Sequence, residues 1–342
     1  MNGSSVSTSR STRPHSTRVV RTVDDLHPAI TDVVTANGAN FNYGLEFLRA
    51  YERYPIQRVH AVYYVEIQGD HGAPVAFAPC YVQGDPLGAL GLRDGELALL
   101  SHVWHCSDSR LVTAEETTPQ LARRMVAAMA EVARSARLRR FGFINVEVGS
   151  PTALALEAIG LTGSLVDTRY WLDLAGCGDE AGYLARLRRS SRMEYRRHRN
   201  RARDAGVVIT HRPARAEEDR ERLGLFEVAM ERVGSAGYYS AEKIANFLRE
   251  TPSARIIELT QGETLLAMSI NFVDATRIHA WACGWVRDRG MPFSPYYVVW
   301  SEIVRLGFQV GVPRLEGGRR NGDFKIRFGM IPQPLNVYMA EV

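Results

Sequence analysis

The sequence predicts a mixed α/β fold made of two similar halves. Three observations carry this expectation. The order helices, strand hairpin, helix, strand occurs twice along the chain. A length of 342 residues accommodates two units of roughly 150 residues each. Residues 176–180, with two glycines, offer a break between them. Strands interleaved with helices call for sheets covered by helices on their faces.

The elements follow in order. Residues 1–22 read as a disordered basic tail, rich in Ser, Thr and Arg. Residues 23–34 suggest a short helix, and Leu45, Leu48 and Tyr51 give residues 45–54 helical spacing. Residues 59–67 and 73–82 read as a strand hairpin across Gly69-Asp-His-Gly72. Leu121, Met125, Met129 and Val132 mark one face of a helix over 119–137. A strand at 140–148, a short helix at 153–159 and a strand at 170–174 complete the first half. Residues 181–205 form a long helix or a helical pair, stopped by Gly206. A strand at 207–211 follows, then helices at 215–233 and 240–249, the latter capped by Ser240. Strands at 255–260 and 264–272 meet at Gln261-Gly-Glu263, and a third runs over 277–286. A helix at 294–308 and a strand ending at Gly318 close the pattern. The expected domains are therefore residues 23–178 and 206–342, joined by an arginine-rich helix at 179–205.

Composition narrows the class. The apolar fraction of 45% supports sizeable cores, and no apolar run is long enough to span a membrane. The N-terminus lacks the apolar stretch of a secretory signal. Cys80, Cys106, Cys177 and Cys283 are far apart and show no CxxC spacing, as expected of a cytoplasmic protein with reduced thiols. No metal is expected, because His102, His105 and Cys106 match no zinc pattern.

Charge is distributed unevenly. Residues 186–203 hold nine arginines and one acid, Glu194. Leu184, Leu187, Ser191, Tyr195, His198 and Ala202 fall near one stripe of the helix, with Arg189, Arg192, Arg196, Arg199 and Arg203 opposite. A nearly single-signed face suits phosphates better than water alone. Nothing in it reads bases, so DNA is not an expected partner. A second anion site could form at Arg287-x-x-Gly290, just before Ser294 as N-cap and Pro295 in the first helical turn.

Only two of the 42 basic residues are lysines, Lys243 and Lys325. Lysine is a compact charge on a flexible stem, suited to one oxyanion or one reacting carbonyl oxygen. Lys325 lies among Gly317, Gly318, Gly322 and Gly329, which permit close backbone approach. If this stretch were extended, Phe324 and Phe328 would bury on one side, with Lys325 and Arg327 pointing elsewhere. His279 alternates with Ile278 on a strand and is expected in the core or a pocket wall, with Trp281 two positions on.

Several stretches together resemble a known family. Residues 188–207 are similar to the arginine-rich helix that leads into the second half of Fem-like and related N-acetyltransferase-type proteins. Phe293-Ser-Pro-Tyr-Tyr-Val-Val-Trp-Ser-Glu302 resembles their SPxxxLxWxxI helix start. Leu315-Glu-Gly-Gly318 with Gly322-Asp-Phe-Lys-Ile-Arg-Phe-Gly329 resembles their closing D-x-G-G…G-x-F-K-x-x-F-G signature. The resemblance covers residues 180–332 well and residues 40–175 faintly. It implies two tandem GNAT-like domains with the active groove between them, and transfer of an acyl or aminoacyl group to an amine. Phe324 and Lys325 would lie at the reacting ester, with Glu316 or Asp323 as base. Gly317, Gly318, Arg327, Trp281 and His279 would contact substrate. The donor would be aminoacyl-tRNA, held by the arginine helix, or acyl-CoA, held at Arg287, Gly290 and Ser294, with no resident cofactor. No coiled-coil arm is visible, so a small-molecule amine, as in natural-product assembly, is the expected acceptor. A non-catalytic RNA- or partner-binding protein on the same fold is the further alternative.

Overall fold

The first hairpin forms as expected across Gly69–Gly72, from strands buried along most of their central and inner length. β2 (Ala61–Gln68) and β3 (Pro74–Gln83) pair antiparallel, with Val65 opposite Ala78. The computed structural model describes residues 16–342 apart from 86–87, 216–218, 233–236, 238 and 289. The expected tail is shorter than its composition suggested. β1 (Thr17–Val20) pairs with β2, and Arg18 Nη1 donates to both oxygens of Glu66 at 3.0 Å. Residues 1–15 of that tail lie outside the described residues. The helix expected over 23–34 is split around Pro28 into a 3-10 turn (Val23–Asp25) and α1 (Ile30–Ala36). α2 (Leu45–Arg53) follows.

The rest of the first half comprises β4 (Ala98–Ser101), β5 (Val112–Thr113), α3 (Pro119–Ser135), β6 (Arg140–Glu147), α4 (Pro151–Ala158) and β7 (Gly163–Asp173). The expected helix 181–205 is a pair, α6 (Glu180–Arg186) and α7 (Arg189–Asp204), preceded by the single turn α5 (Leu174–Cys177). Gly206 follows with φ +73°, a conformation that favours glycine. The second half runs β8 (Val208–Pro213), α8 (Gly224–Arg232), α9 (Ala241–Arg249), β9 (Arg255–Gln261), β10 (Thr264–Val273), β11 (Arg277–Trp285), α10 (Pro295–Val310), β12 (Arg314–Glu316), α11 (Gly322–Arg327) and β13 (Ile331–Glu341). The helix expected over 215–233 is shorter, and residues 216–218 and 233 of it lie outside the described residues.

Among the described residues, thirteen strands form one sheet in the order β1-β2-β3-β4-β6-β13-β7-β12-β11-β10-β9-β8, with β5 beside β3. Two pairs are parallel, β4 with β6 and β11 with β12, and a helix, α3 or α10, lies between the partners of each in sequence. The element repeat is thus also a repeat of topology. The closing strands are exchanged: β13, from the end of the chain, lies between β6 and β7, and β7 pairs with β12 of the second half.

The halves are also joined by apolar packing. One core cluster unites Tyr43, Phe47 and Tyr51 with Phe247, Ile270 and Phe272. Phe47 meets Phe247 edge-on at 5.5 Å, and Phe41 stacks on Phe272 at 4.3 Å. Each fully buried phenylalanine here, Phe47, Phe247 and Phe272, contributes about 1.5–3 kcal/mol of transfer free energy. A second cluster lies under α3 and α4, and a third lies around α7 and α10.

Candidate active site

The site begins where two parallel strands part. β11 and β12 are paired only from Arg277–Arg314 to His279–Glu316. Beyond that point β11 continues to Trp285, while the chain after Glu316 turns away through Gly317 and Gly318. Side chains from both halves line the resulting cavity of about 460 Å³. Trp104, His105 and Asp167 come from the first half, and His279, Trp281, Trp285 and Glu316 from the second.

Lys325 lines this cavity and is 4% exposed. Its segment is helical, not extended, and this redistributes the neighbours. At 3.6 residues per turn Phe324, Lys325 and Phe328 face inward, while Asp323 and Arg327 lie on the exposed side. Asp323 and Arg327 therefore stand outside the cavity, and Arg327 instead reaches Glu194 at 3.5 Å and the Tyr297 hydroxyl. Phe324 packs beneath the site, with ring centroids 4.7 Å from Tyr296, 5.0 Å from Tyr297 and 4.6 Å from Phe328.

Lys325 Nζ donates to the carbonyls of Gly318 at 3.0 Å and Arg319 at 2.6 Å. Gly318 has φ +67°, a geometry few other residues adopt. A Cβ at Gly317 would fall 2.5 Å from Met330 Cε and 3.3 Å from the Tyr170 carbonyl. The glycines are thus needed where the turn approaches Tyr170. Burial lowers the Lys325 pKa to about 7; Glu316 and Asp167 oppose that shift, and Arg319 adds to it.

Glu316 is held rather than free. Arg169 Nη1 donates to its Oε2 at 2.9 Å, and the Gly318 N–H to its Oε1 at 3.0 Å. Arg169 is 3% exposed, pairs with Glu147 and lies 3.4 Å from Asp108. Asp108 also binds Arg277 at 2.8 Å and Arg110 at 2.5 Å. Burial would raise the Asp108 carboxyl, but Arg169, Arg110 and Arg277 hold it well below the usual range. Burial likewise opposes the Arg169 charge, but Asp108, Glu316 and Glu147 outweigh it.

His279 also lines the cavity, and its Nε2 lies 2.9 Å from Asp274 Oδ2. Burial opposes the charge on Asp274, but His279 and Thr276 hold its pKa down. Asp167 is a cavity residue that the sequence reading missed, with Arg319 at 3.7 Å. The period-two placement of Asp167, Arg169 and Trp171 on β7 carried a signal for it, but the expected strand began only at residue 170.

The proposed phosphate contacts are dispersed. Arg189, Arg196 and Arg203 are exposed on α7, and Arg203 pairs with Asp204 at 3.1 Å. Arg192 is half-buried, with Nη1 3.4 Å from the Leu184 carbonyl. Arg199 is committed to Glu180 at 2.7 Å and Glu302 at 3.6 Å, so it is not a free surface cation. Those acids arrive from α6 and α10, which is why the local charge run overstated this position. Arg287 is exposed, while the Gly290 N–H is given to Asp288 at 2.8 Å and the Ser294 N–H to His198 at 3.0 Å. Ser294 occupies the N-cap position of α10, but its side chain makes no capping bond.

Comparison with known proteins fits this geometry. Residues 189–326 match the family model of the acetyltransferase (GNAT) domain. Among solved structures the chain is similar to FemX, with TM-score 0.66 and 9% identity over 94% of this chain and 97% of that one. It is similar to a tandem GNAT protein from the clavulanic acid biosynthesis pathway, with TM-score 0.55 and 13% identity over 95% and 98% of the two chains. L-PGS from Bacillus licheniformis gives TM-score 0.55 and 12% identity over 91% of each chain. No curated protein matches. Among the described residues no helix is long and apolar enough to cross a membrane. Residues 189–326 thus carry an acetyltransferase (GNAT) domain, and the chain as a whole shares its fold with FemX and the tandem GNAT protein.

Proposed function

We propose that the chain transfers an aminoacyl group from aminoacyl-tRNA to the amine of a small-molecule acceptor. One observation carries the reading: the buried Lys325 ammonium lines a cavity built jointly by the two halves, with Glu316 and Asp167 in the same wall. Two of its hydrogens go to backbone carbonyls, which leaves one donor for the substrate carbonyl. The acceptor nitrogen attacks that carbonyl, a C–N bond forms, and the ester C–O bond to the ribose breaks. Lys325 steadies the oxyanion between those events; removing one such donor elsewhere costs about 2.7–4 kcal/mol. Both oxygens of Glu316 are occupied, so it orients the turn. Asp167 is the better placed base for the amine proton, which passes on to the leaving ribose oxygen.

The exposed arginines of α7 support a polyanionic donor. The Arg287 loop supports the acyl-CoA alternative, but two of its N–H groups are internally satisfied and Asp288 adds negative charge there. The experiment offers charged tRNA and acyl-CoA separately with a panel of small amines. Transfer abolished by ribonuclease supports the tRNA donor; full transfer from acyl-CoA alone rejects it. A non-catalytic RNA-binding role would leave binding intact in Lys325→Ala and destroy it in Arg196→Glu.

A further inference from the structure

We propose that the transferred group carries a large apolar, preferably aromatic, substituent, held by the tryptophan-rich wall of the cavity. This rests on the reading that Lys325 marks the reacting carbonyl. Four of the chain's five tryptophans, Trp104, Trp281, Trp285 and Trp300, line this one space. A side chain that only fills core is enclosed by other side chains; these four border unfilled volume. The wall starts beside the lysine. Tyr296 lies 4.7 Å from Phe324, the neighbour of Lys325, and Trp285 lies 4.5 Å beyond Tyr296. A substituent attached to a carbonyl at Lys325 is therefore directed along aromatic rings.

Size and charge agree with that chemistry. A volume of about 460 Å³ falls within the range of ligand sites and would be left mostly empty by an acetyl or glycyl group. The cationic form of His105 is suppressed, since burial takes its pKa down to about 3, so this stretch of wall stays neutral. The indole Nε1 atoms of Trp104 and Trp281 are buried, and neither has an acceptor among the described residues. Buried donors are ordinarily paired, so two unpaired indoles bordering one cavity are consistent with a polar atom that a ligand supplies. The same chemistry would serve an aromatic aminoacyl group or a long or aromatic acyl group.

The test is a direct binding titration of the full chain, followed by tryptophan fluorescence, which reports on this cavity. The probes are L-phenylalaninamide against glycinamide, and hydrocinnamamide against acetamide. Tighter binding of the larger member in each pair by about 10- to 100-fold is expected, the range one buried ring supports. Preference for phenylalaninamide over hydrocinnamamide assigns an aminoacyl group, and the reverse a plain acyl group. Trp285→Ala should erase the size preference and Trp285→Phe should keep it. Binding of the paired probes within threefold of each other, or no response to any probe, overturns the proposal. Lys325→Ala separates the two claims. It should weaken phenylalaninamide and glycinamide alike, since both present the same carbonyl, and keep their ratio; transfer that survives in it overturns the catalytic reading without touching the size preference.

Discussion

Arg169 and Glu316 meet at 2.9 Å across 147 positions of sequence, each almost fully buried. The pair joins β7 of the first half to β12 of the second, and Glu316 passes the constraint to the Gly318 N–H. Two buried charges are tolerable together and costly apart. Arg169→Leu would leave Asp108, Glu147 and Glu316 without their shared cation. The expected loss is about 3–5 kcal/mol of unfolding free energy in urea titration. Glu316→Gln also removes one charge but keeps the side chain's shape and a hydrogen-bond acceptor, so it should cost less, while lowering transfer through the loosened Gly317-Gly318 turn. Equal stability of Arg169→Leu and wild type would refute this account.

Lys325 should impose a pH signature of definite sign. Its folded pKa is lowered from 10.5 to about 7, so between those values the unfolded chain binds this proton more strongly. Its contribution to stability is therefore greatest above pH 10.5, declines as pH falls towards 7, and is flat below. Lys325→Met should remove that slope, visible as a shrinking wild-type advantage between pH 10 and pH 7 in unfolding curves. Catalysis should run the other way. If the ammonium steadies the oxyanion, kcat/KM falls as pH rises through about 7. A rise over the same interval would make Lys325 a base instead.

Asp167→Asn separates catalysis from folding. The carboxylate is partly exposed and its contact with Arg319 is 3.7 Å long, so the effect on stability should stay within about 1 kcal/mol. Loss of a general base typically costs about 10²–10⁴ in rate. Transfer should fall by that order with an unchanged melting temperature. Unchanged transfer would hand the proton to the ribose oxygen alone.

Local periodicity revealed the elements, and long-range pairing hid parts of the site. Ser191, Tyr195 and Ala202 are buried as the helical stripe required, because one face of α7 decides it, whereas the buried Leu184 and Leu187 belong to α6 and the joint before α7. β13 has no counterpart in the expected elements, and Pro332 and Pro334 at its start weaken any strand signal there. The structure accommodates both ahead of the β6 register, which begins at Leu335, and Pro334 there only accepts, its carbonyl taking the Val148 N–H at 3.0 Å. The glycines around Lys325 obscure the six-residue helix that carries it. Asp108, Arg169 and Arg277 acquire meaning only when the sheet brings them together, and no spacing in the sequence encodes that meeting.

The arginines of α7 provide a divided test of the polyanion reading. Arg189 and Arg196 are exposed, so Arg189→Glu and Arg196→Glu should leave the fold intact and weaken tRNA binding. Neutralising each phosphate contact should reduce the slope of log affinity against log salt by about 0.7–0.9. Arg199 differs because it ties α7 to Glu180 and Glu302. Arg199→Glu would place a third carboxylate beside those two and should lower the melting temperature before any question of ligand arises. Parallel measurements of melting temperature and of tRNA binding across a salt series distinguish the two classes. An unchanged salt slope in both Arg189→Glu and Arg196→Glu would remove this face from the donor site.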